Sequence, residues 1–306
     1  MQAGATRAVA AAAAVTAAAA LVAFLALRGT AGNPPAGARA RGTSSDAAVR
    51  PGPGEGKPAL QADPLAAAAA RYTAGRTGSV LAAVYDVQTG QSWSLGTGAP
   101  QAEASVVKLD ILETLLAGRD GAGLGQADQE LARAMIEDSD NDAATSLWDE
   151  AGGAAGLSAY NGRAGLSSTI PSPCVSCAGF AWPGWGLTST QPGDQLALLK
   201  QLVVPGPRPL LSDTERSYAL SLMEHVTPGQ RWGVSAGIPS GVTVALKNGW
   251  LPLSPSGADW QVNSIGWVSG DGRDYLVAVL TTGSPTEQYG IDTISALSSV
   301  IWTAMR

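Results

Sequence analysis

The chain has 306 residues, 45% of them hydrophobic and 14% charged, enough apolar material for a packed core in one large domain or two small ones. Its formal net charge is −6 with no long lysine or arginine run, which argues against a nucleic-acid partner. Only four lysines occur, Lys57, Lys108, Lys200 and Lys247, so the setting of each one is informative.

The chain opens with an apolar run, residues 8–27, held between Arg7 and Arg28. About 20 apolar residues suffice to cross a bilayer as a helix. Residues 1–28 therefore read as a membrane anchor, or as a signal segment cleaved among the small residues that follow. No cysteine lies near enough to carry a lipid, and both readings place the rest of the chain outside the cytoplasm. Residues 29–63 are rich in Ala, Gly and Pro without apolar periodicity, the pattern of a disordered linker. Residues 64–306 then form a single domain with no internal repeat, and a monomer is expected.

Within that domain, residues 79–95 predict two strands joined at a Gln-Thr-Gly turn. Residues 105–118 predict a helix whose broad apolar face carries Val106, Val107, Leu109, Leu112, Leu115 and Leu116. Two more helices are expected at 127–138 and 141–151. Residues 152–190 are dense in Gly, Ser and Pro and carry both cysteines, and no element is assigned to them. Helices at 192–203 and 212–226 follow, then three strands within 241–283, and a closing helix at 286–305. Strands at both ends with helices between them predict one sheet assembled from the two ends of the chain, an α+β or mixed α/β architecture.

Cys174 and Cys177 are the only cysteines. With a single histidine, His225, they are too few for an ordinary zinc site, and outside the cytoplasm a small-loop disulfide is the simpler reading. A redox pair is the alternative, but no strand-then-helix pattern surrounds it. His225 lies far along the chain from the candidate serine and is discounted as a triad member. Trp182 and Trp185 read as loop packing before cleft lining, and Trp260 and Trp267 as strand core or interface residues. Asp140 reads as a structural acceptor.

Three short stretches carry chemistry. Ser105 precedes Lys108 by one helical turn, a spacing that lets an amine take a hydroxyl proton. Taken alone, Ser105 serves equally well as a helix cap. Ser139-Asp140-Asn141 precedes a helix, where Ser139 could be the cap with Asp142 as its acidic partner. Lys247-Asn248-Gly249 ends an apolar strand and reads alone as an edge lysine before a turn.

In combination and in this order, Ser-x-x-Lys, Ser-Asp-Asn and Lys-Asn-Gly resemble the motif set of class A β-lactamases and penicillin-binding proteins, whose third motif is Lys-Thr-Gly. The resemblance covers most of residues 75–306. It implies an α+β (mixed α/β) fold, with an antiparallel sheet from both chain ends, flanking helices and a trimmed all-helical subdomain. It implies Ser105 as the acylated nucleophile, Lys108 as its activator and Ser139 as the proton carrier to the leaving nitrogen. Asn141, Lys247, Asn248 and Gly249 match the substrate-binding positions, with Lys247 drawing the substrate carboxylate. The backbone N–H groups of Ser105 and Trp250 match the oxyanion hole. The implied ligand is a β-lactam or a peptidoglycan-like peptide, and no metal or cofactor is called for.

The sequence also departs from that pattern. Class A enzymes release the acyl group with a loop glutamate. Counting back from TSTQPGDQLALL places its counterpart near Val175, and no Asp or Glu occurs from Ala151 through Gly193. Slow deacylation is the expected consequence. Asn248 stands where a threonine hydroxyl is usual, and Trp250 is bulky beside the proposed oxyanion hole.

Overall fold

A computed structural model describes residues 62–177, 183–254 and 257–305. The expected anchor, the linker up to residue 61 and Trp182 lie outside the described residues.

The order of elements is α1 (Pro64–Ala68), β1 (Ser79–Asp86), β2 (Ser92–Leu95), β3 (Gln101–Ala102), α2 (Val107–Ala117), α3 (Gln126–Arg133), α4 (Asn141–Glu150), α5 (Gly153–Ala164), β4 (Ser189–Thr190), α6 (Pro192–Val203), α7 (Asp213–Glu224), β5 (Thr243–Pro252), β6 (Trp260–Gly270), β7 (Arg273–Ser284) and α8 (Glu287–Ala304). The main sheet runs β2-β1-β7-β6-β5, antiparallel throughout, so the N-terminal hairpin pairs with the last strand. A short ribbon, β3 with β4, ties the approach to α2 to the approach to α6.

Side chains alternate across the sheet, as a pleated strand requires. Ala83, Ala245, Ile265, Leu276 and Ala278 face a core shared with α2, α4, α5, α6 and α7. Ala82, Val84, Val244, Leu246, Val262, Val277 and Val279 face a second core closed by α1 and α8. All eleven residues of α2 are buried, so this helix is the axis of the helical side and has no solvent face.

The sequence pattern assigned no element to residues 153–164, which form helix α5. Leu157, Tyr160, Asn161 and Ala164 are its buried residues, an i, i+3, i+4, i+7 stripe that the surrounding glycines obscured. One of those glycines serves close packing: a β-carbon on Gly156 would stand 1.7 Å from the carbonyl oxygen of Ala151.

Candidate active site

Ser105 stands in the 3-10 turn Ala104–Val106 that runs into α2. Ala104, just before it, lies at φ +52°, a region that costs a residue with a β-carbon some strain. The turn is held on both sides. The Glu103 N–H donates to the Thr188 carbonyl at 2.7 Å, and the Glu103 carbonyl accepts from Asn263 Nδ2 at 2.9 Å. Gly249 of β5 packs directly on the turn, where a β-carbon would stand 2.6 Å from the Ser105 nitrogen. Ser105 is half-buried and lines a cleft of about 310 Å³.

The two motif lysines meet at Ser139. A π-helical turn, Ala134–Asp138, follows α3 and ends on Ser139 at φ +60°. The helix cap is Asp140 rather than Ser139: its side chain accepts from the Ala143 N–H at 2.7 Å. Ser139 is thereby free to point inward. Its Oγ accepts from Lys108 Nζ at 3.1 Å and from Lys247 Nζ at 3.0 Å. Lys108 Nζ also donates to the Ser139 carbonyl at 2.5 Å and to Asn141 Oδ1 at 2.8 Å. None of these three bonds goes to Ser105. Burial lowers the Lys108 ammonium to about 7, against the opposing pull of Asp140. Burial, and then the neighbouring charge of Lys108, push Lys247 well below the usual lysine value.

Strand alternation sorts the third motif. Lys247 and Gly249 fall on the face toward Ser105 and Ser139. Asn248 falls on the other, where its Nδ2 donates to the carbonyls of Gln230 at 2.7 Å and Trp232 at 3.2 Å. Both of its amide hydrogens are committed to backbone, and it is fully buried. Trp250, at the cleft edge, packs against Trp232 with ring centroids 5.9 Å apart.

The loop between α5 and α6 is where the structure departs most from the sequence reading. Val175 is not at the cleft; it is 81% exposed. The loop instead reaches the cleft through Trp185 and Gly186, in a 3-10 turn Gly184–Leu187. Trp185 is buried, so it packs the loop and lines the cleft at once. Its Nε1 donates to Thr145 Oγ1 at 3.3 Å, and its ring lies 5.1 Å from Lys108 Nζ. Trp260 likewise lines the cleft, although it was expected only in core or interface, whereas Trp267 is packed with its Nε1 on Asp274 Oδ1. Cys174 and Cys177 form a disulfide beside this loop. His225 is exposed at the end of α7.

Three contributors escaped the sequence reading. Glu103, two residues before the serine, is fully buried, and burial with nearby Asp110 and Asp194 raises its carboxyl well above the usual range. Asp138 and Gln230 line the cleft. The adjacency of Glu103 to Ser105 was a visible signal. Nothing in the pattern around Asp138 or Gln230 distinguished them.

Among the described residues, no cluster of His, Cys, Asp or Glu could hold a metal ion, and no helix is long and apolar enough to cross a membrane. The arrangement can move a proton along Ser139 between two lysines at a half-buried serine.

Residues 127–305 match the model of the Beta-lactamase enzyme family. The protein of Mycobacterium tuberculosis H37Rv named "Putative lipoprotein LppW" is 31% identical over 204 residues, 64% of this chain and 61% of the relative. The chain thus spans less than two thirds of the length of that curated relative. In fold it resembles a β-lactamase from Xanthomonas campestris, with TM-score 0.64 and 19% identity over 78% of this chain and 96% of the other. It also resembles a class A β-lactamase from Mycobacterium abscessus, with TM-score 0.62 and 22% identity over 78% and 97% of the two chains. A third likeness is PBP-A, with TM-score 0.63 and 21% identity over 79% and 95%.

Proposed function

As the chain belongs to the β-lactamase enzyme family, we propose that it is a serine hydrolase forming an acyl-serine on Ser105 with β-lactams or related amides and releasing it slowly. The observation that carries this reading is the Ser139 hydroxyl held between Lys108 and Lys247 at 3.1 and 3.0 Å. Two buried lysines sharing one hydroxyl are costly to keep unless protons move between them.

In this mechanism Ser105 Oγ attacks the substrate carbonyl while Lys108, neutral in part near pH 7, accepts the hydroxyl proton. The new bond is Oγ to carbon. The N–H groups of Ser105 and Trp250 hold the oxyanion. The tetrahedral adduct collapses with loss of the carbon–nitrogen bond, and the proton returns through Ser139 to the leaving nitrogen. Asn141 orients the substrate amide. Slow deacylation follows from the cleft wall: Trp185 and Gly186 stand where the loop meets the cleft, and Asp138 is the one carboxylate among the described lining residues. The penicillin-binding type of peptidase, which acts on D-Ala-D-Ala ends without a loop glutamate, uses the same serine and fits the same wall.

A second reading, a non-catalytic relative that binds cell-wall material or a protein, draws on the fact that all three described Lys108 bonds avoid Ser105. Intact-protein mass spectrometry during incubation with a penicillin separates the two. An adduct mapped to Ser105, lasting for minutes and absent in Ser105→Ala, is the expected result. No adduct with several β-lactam classes and with an activated thioester would leave the binding reading. We also place the protein outside the cytoplasm, held through residues 1–28. The name of the mycobacterial relative supports a membrane attachment, and with no cysteine before Cys174 the apolar run is the candidate for it.

A further inference from the structure

Beneath the turn that carries Ser105, two buried side chains meet. Glu103 and Gln195 of α6 are both fully buried. Glu103 Oε1 accepts from Gln195 Nε2 at 3.1 Å, and the same Nε2 donates to Thr190 Oγ1 of β4 at 3.0 Å. Both hydrogens of the Gln195 amide are thereby used. The other oxygen of each side chain, Glu103 Oε2 and Gln195 Oε1, is buried with no hydrogen-bond partner among the described residues.

The charged groups that act on Glu103 are Asp110 of α2 and Asp194 of α6, both acids. β4 and β6 meet it with Thr190 and Asn263, which are uncharged. Burial, and then the two acids, hold its carboxyl well above the usual range. An ionised Glu103 would leave two bare acceptors on side chains already joined by one bond. A carboxylic acid has one hydrogen to give. Carried on Oε2, that hydrogen serves Gln195 Oε1 and closes a two-bond acid–amide pair, so one proton satisfies both oxygens.

This pair lies two residues from the nucleophile. Ala104 between them holds φ +52°, and the Val106 N–H reaches the Glu103 carbonyl at 3.3 Å. The described hydrogen bond from residues 103–106 to α6 is the one that Glu103 makes with Gln195. Resting on the acyl-serine reading only for the role of Ser105, we infer that Glu103 is a positioning residue that works as a neutral carboxylic acid, paired with the Gln195 amide to fasten the nucleophile turn to α6.

The test compares Glu103→Gln and Glu103→Met in the full chain. Glutamine keeps a neutral pair, accepting through Oε1 and donating through Nε2, whereas methionine keeps the length and loses both bonds. Hydrogen–deuterium exchange of the peptide covering 101–107 should stay within about twofold of wild type in Glu103→Gln and run about tenfold faster in Glu103→Met. Where a penicillin adduct forms, Glu103→Gln should acylate within about threefold of wild type, and Glu103→Met about 100-fold more slowly, as a displacement near 1 Å costs that much. Urea midpoints between pH 4.5 and 8 report the proton. The unfolded glutamate ionises near 4.5 and the folded one higher, so wild type loses stability as pH rises above 4.5. Glu103→Gln has no such proton to lose and should show a shallower slope. Equal slopes would mean that Glu103 ionises normally, with water serving its oxygens, and overturn the inference. Exchange in Glu103→Met at the wild-type rate overturns it too, as does a Glu103→Gln turn as loose as that of Glu103→Met. Exchange and urea midpoints need no adduct, so this inference and the acyl-serine reading fail separately.

Discussion

At the scale of single residues, the site depends on one displaced pKa and one glycine. Lys108 makes three hydrogen bonds, to Ser139 and Asn141, and burial brings it to about 7. If it is the base, acylation of Ser105 should rise with pH through about 7 and then level off, as the neutral amine becomes the main form. Single-turnover acylation rates from pH 5.5 to 8.5 check this, and a flat profile would remove Lys108 from the role. Gly249 matters for what it lacks. A β-carbon there would meet the Ser105 and Val106 nitrogens at 2.6 and 2.8 Å, so Gly249→Ala must push β5 away from the nucleophile turn. Acylation should fall by about 100-fold or more, because a displacement near 1 Å costs that much in catalysis. Overpacking adds about 1–3 kcal/mol of destabilisation. Rates and thermal melts of the same variant separate these two effects.

At the scale of elements, the loop between α5 and α6 is shaped by its disulfide. The Gly184 N–H donates to the Cys174 carbonyl at 2.8 Å, and a β-carbon on Gly184 would lie 2.4 Å from Cys177 Sγ. The next residue is Trp185, so the cysteine loop sets where the cleft wall stands. Gly184→Ala should destabilise the protein by about 1–3 kcal/mol and shift Trp185 fluorescence, because the added carbon meets the cross-linked side chains of Cys174 and Cys177, which have little room to relax. An unchanged melting temperature and emission spectrum would show that the loop does not hold the tryptophan. The same scale explains two limits of sequence reading. The α5 stripe was present but its glycines hid it, and Val175 was chosen by counting residues through a loop whose path no periodicity dictates.

At the scale of the whole molecule, the helical side buries acids beneath the site. Asp110 and Glu113 of α2 are fully buried, with Asn161 on Asp110 at 2.8 Å and Tyr160 on Glu113 at 2.6 Å. Burial lifts Asp110 to about 7 from an ordinary 3.8, and lifts Glu113 well above its usual range. The unfolded chain releases the Asp110 proton near 3.8 and the folded chain near 7. The folded form therefore binds more protons between these values, and this contribution to stability falls as pH rises across that window. Lys108 works the other way: its folded value of about 7 lies below 10.5, so its contribution grows as pH rises from 7 toward 10.5. Asp110→Asn should flatten the loss between pH 4 and 7, measured by urea midpoints. An unchanged slope would show that Asp110 titrates normally.

Much was settled by the amino-acid sequence alone. It determined the pairing of chain ends in one sheet, the helices from α2 to α8 apart from α5, and the three stretches holding Ser105, Lys108, Ser139, Asn141 and Lys247. Each of these is written in short-range periodicity or in local residue order. Tertiary structure decided what depends on contacts between distant segments. It turned Asn248 away from the cleft by strand alternation, gave the capping role to Asp140, and set Trp185 rather than Val175 at the cleft. It also brought Gln230 and Asp138 to the cleft wall. Such choices follow from how packed faces and loop paths meet in three dimensions, and no spacing within a single segment encodes them.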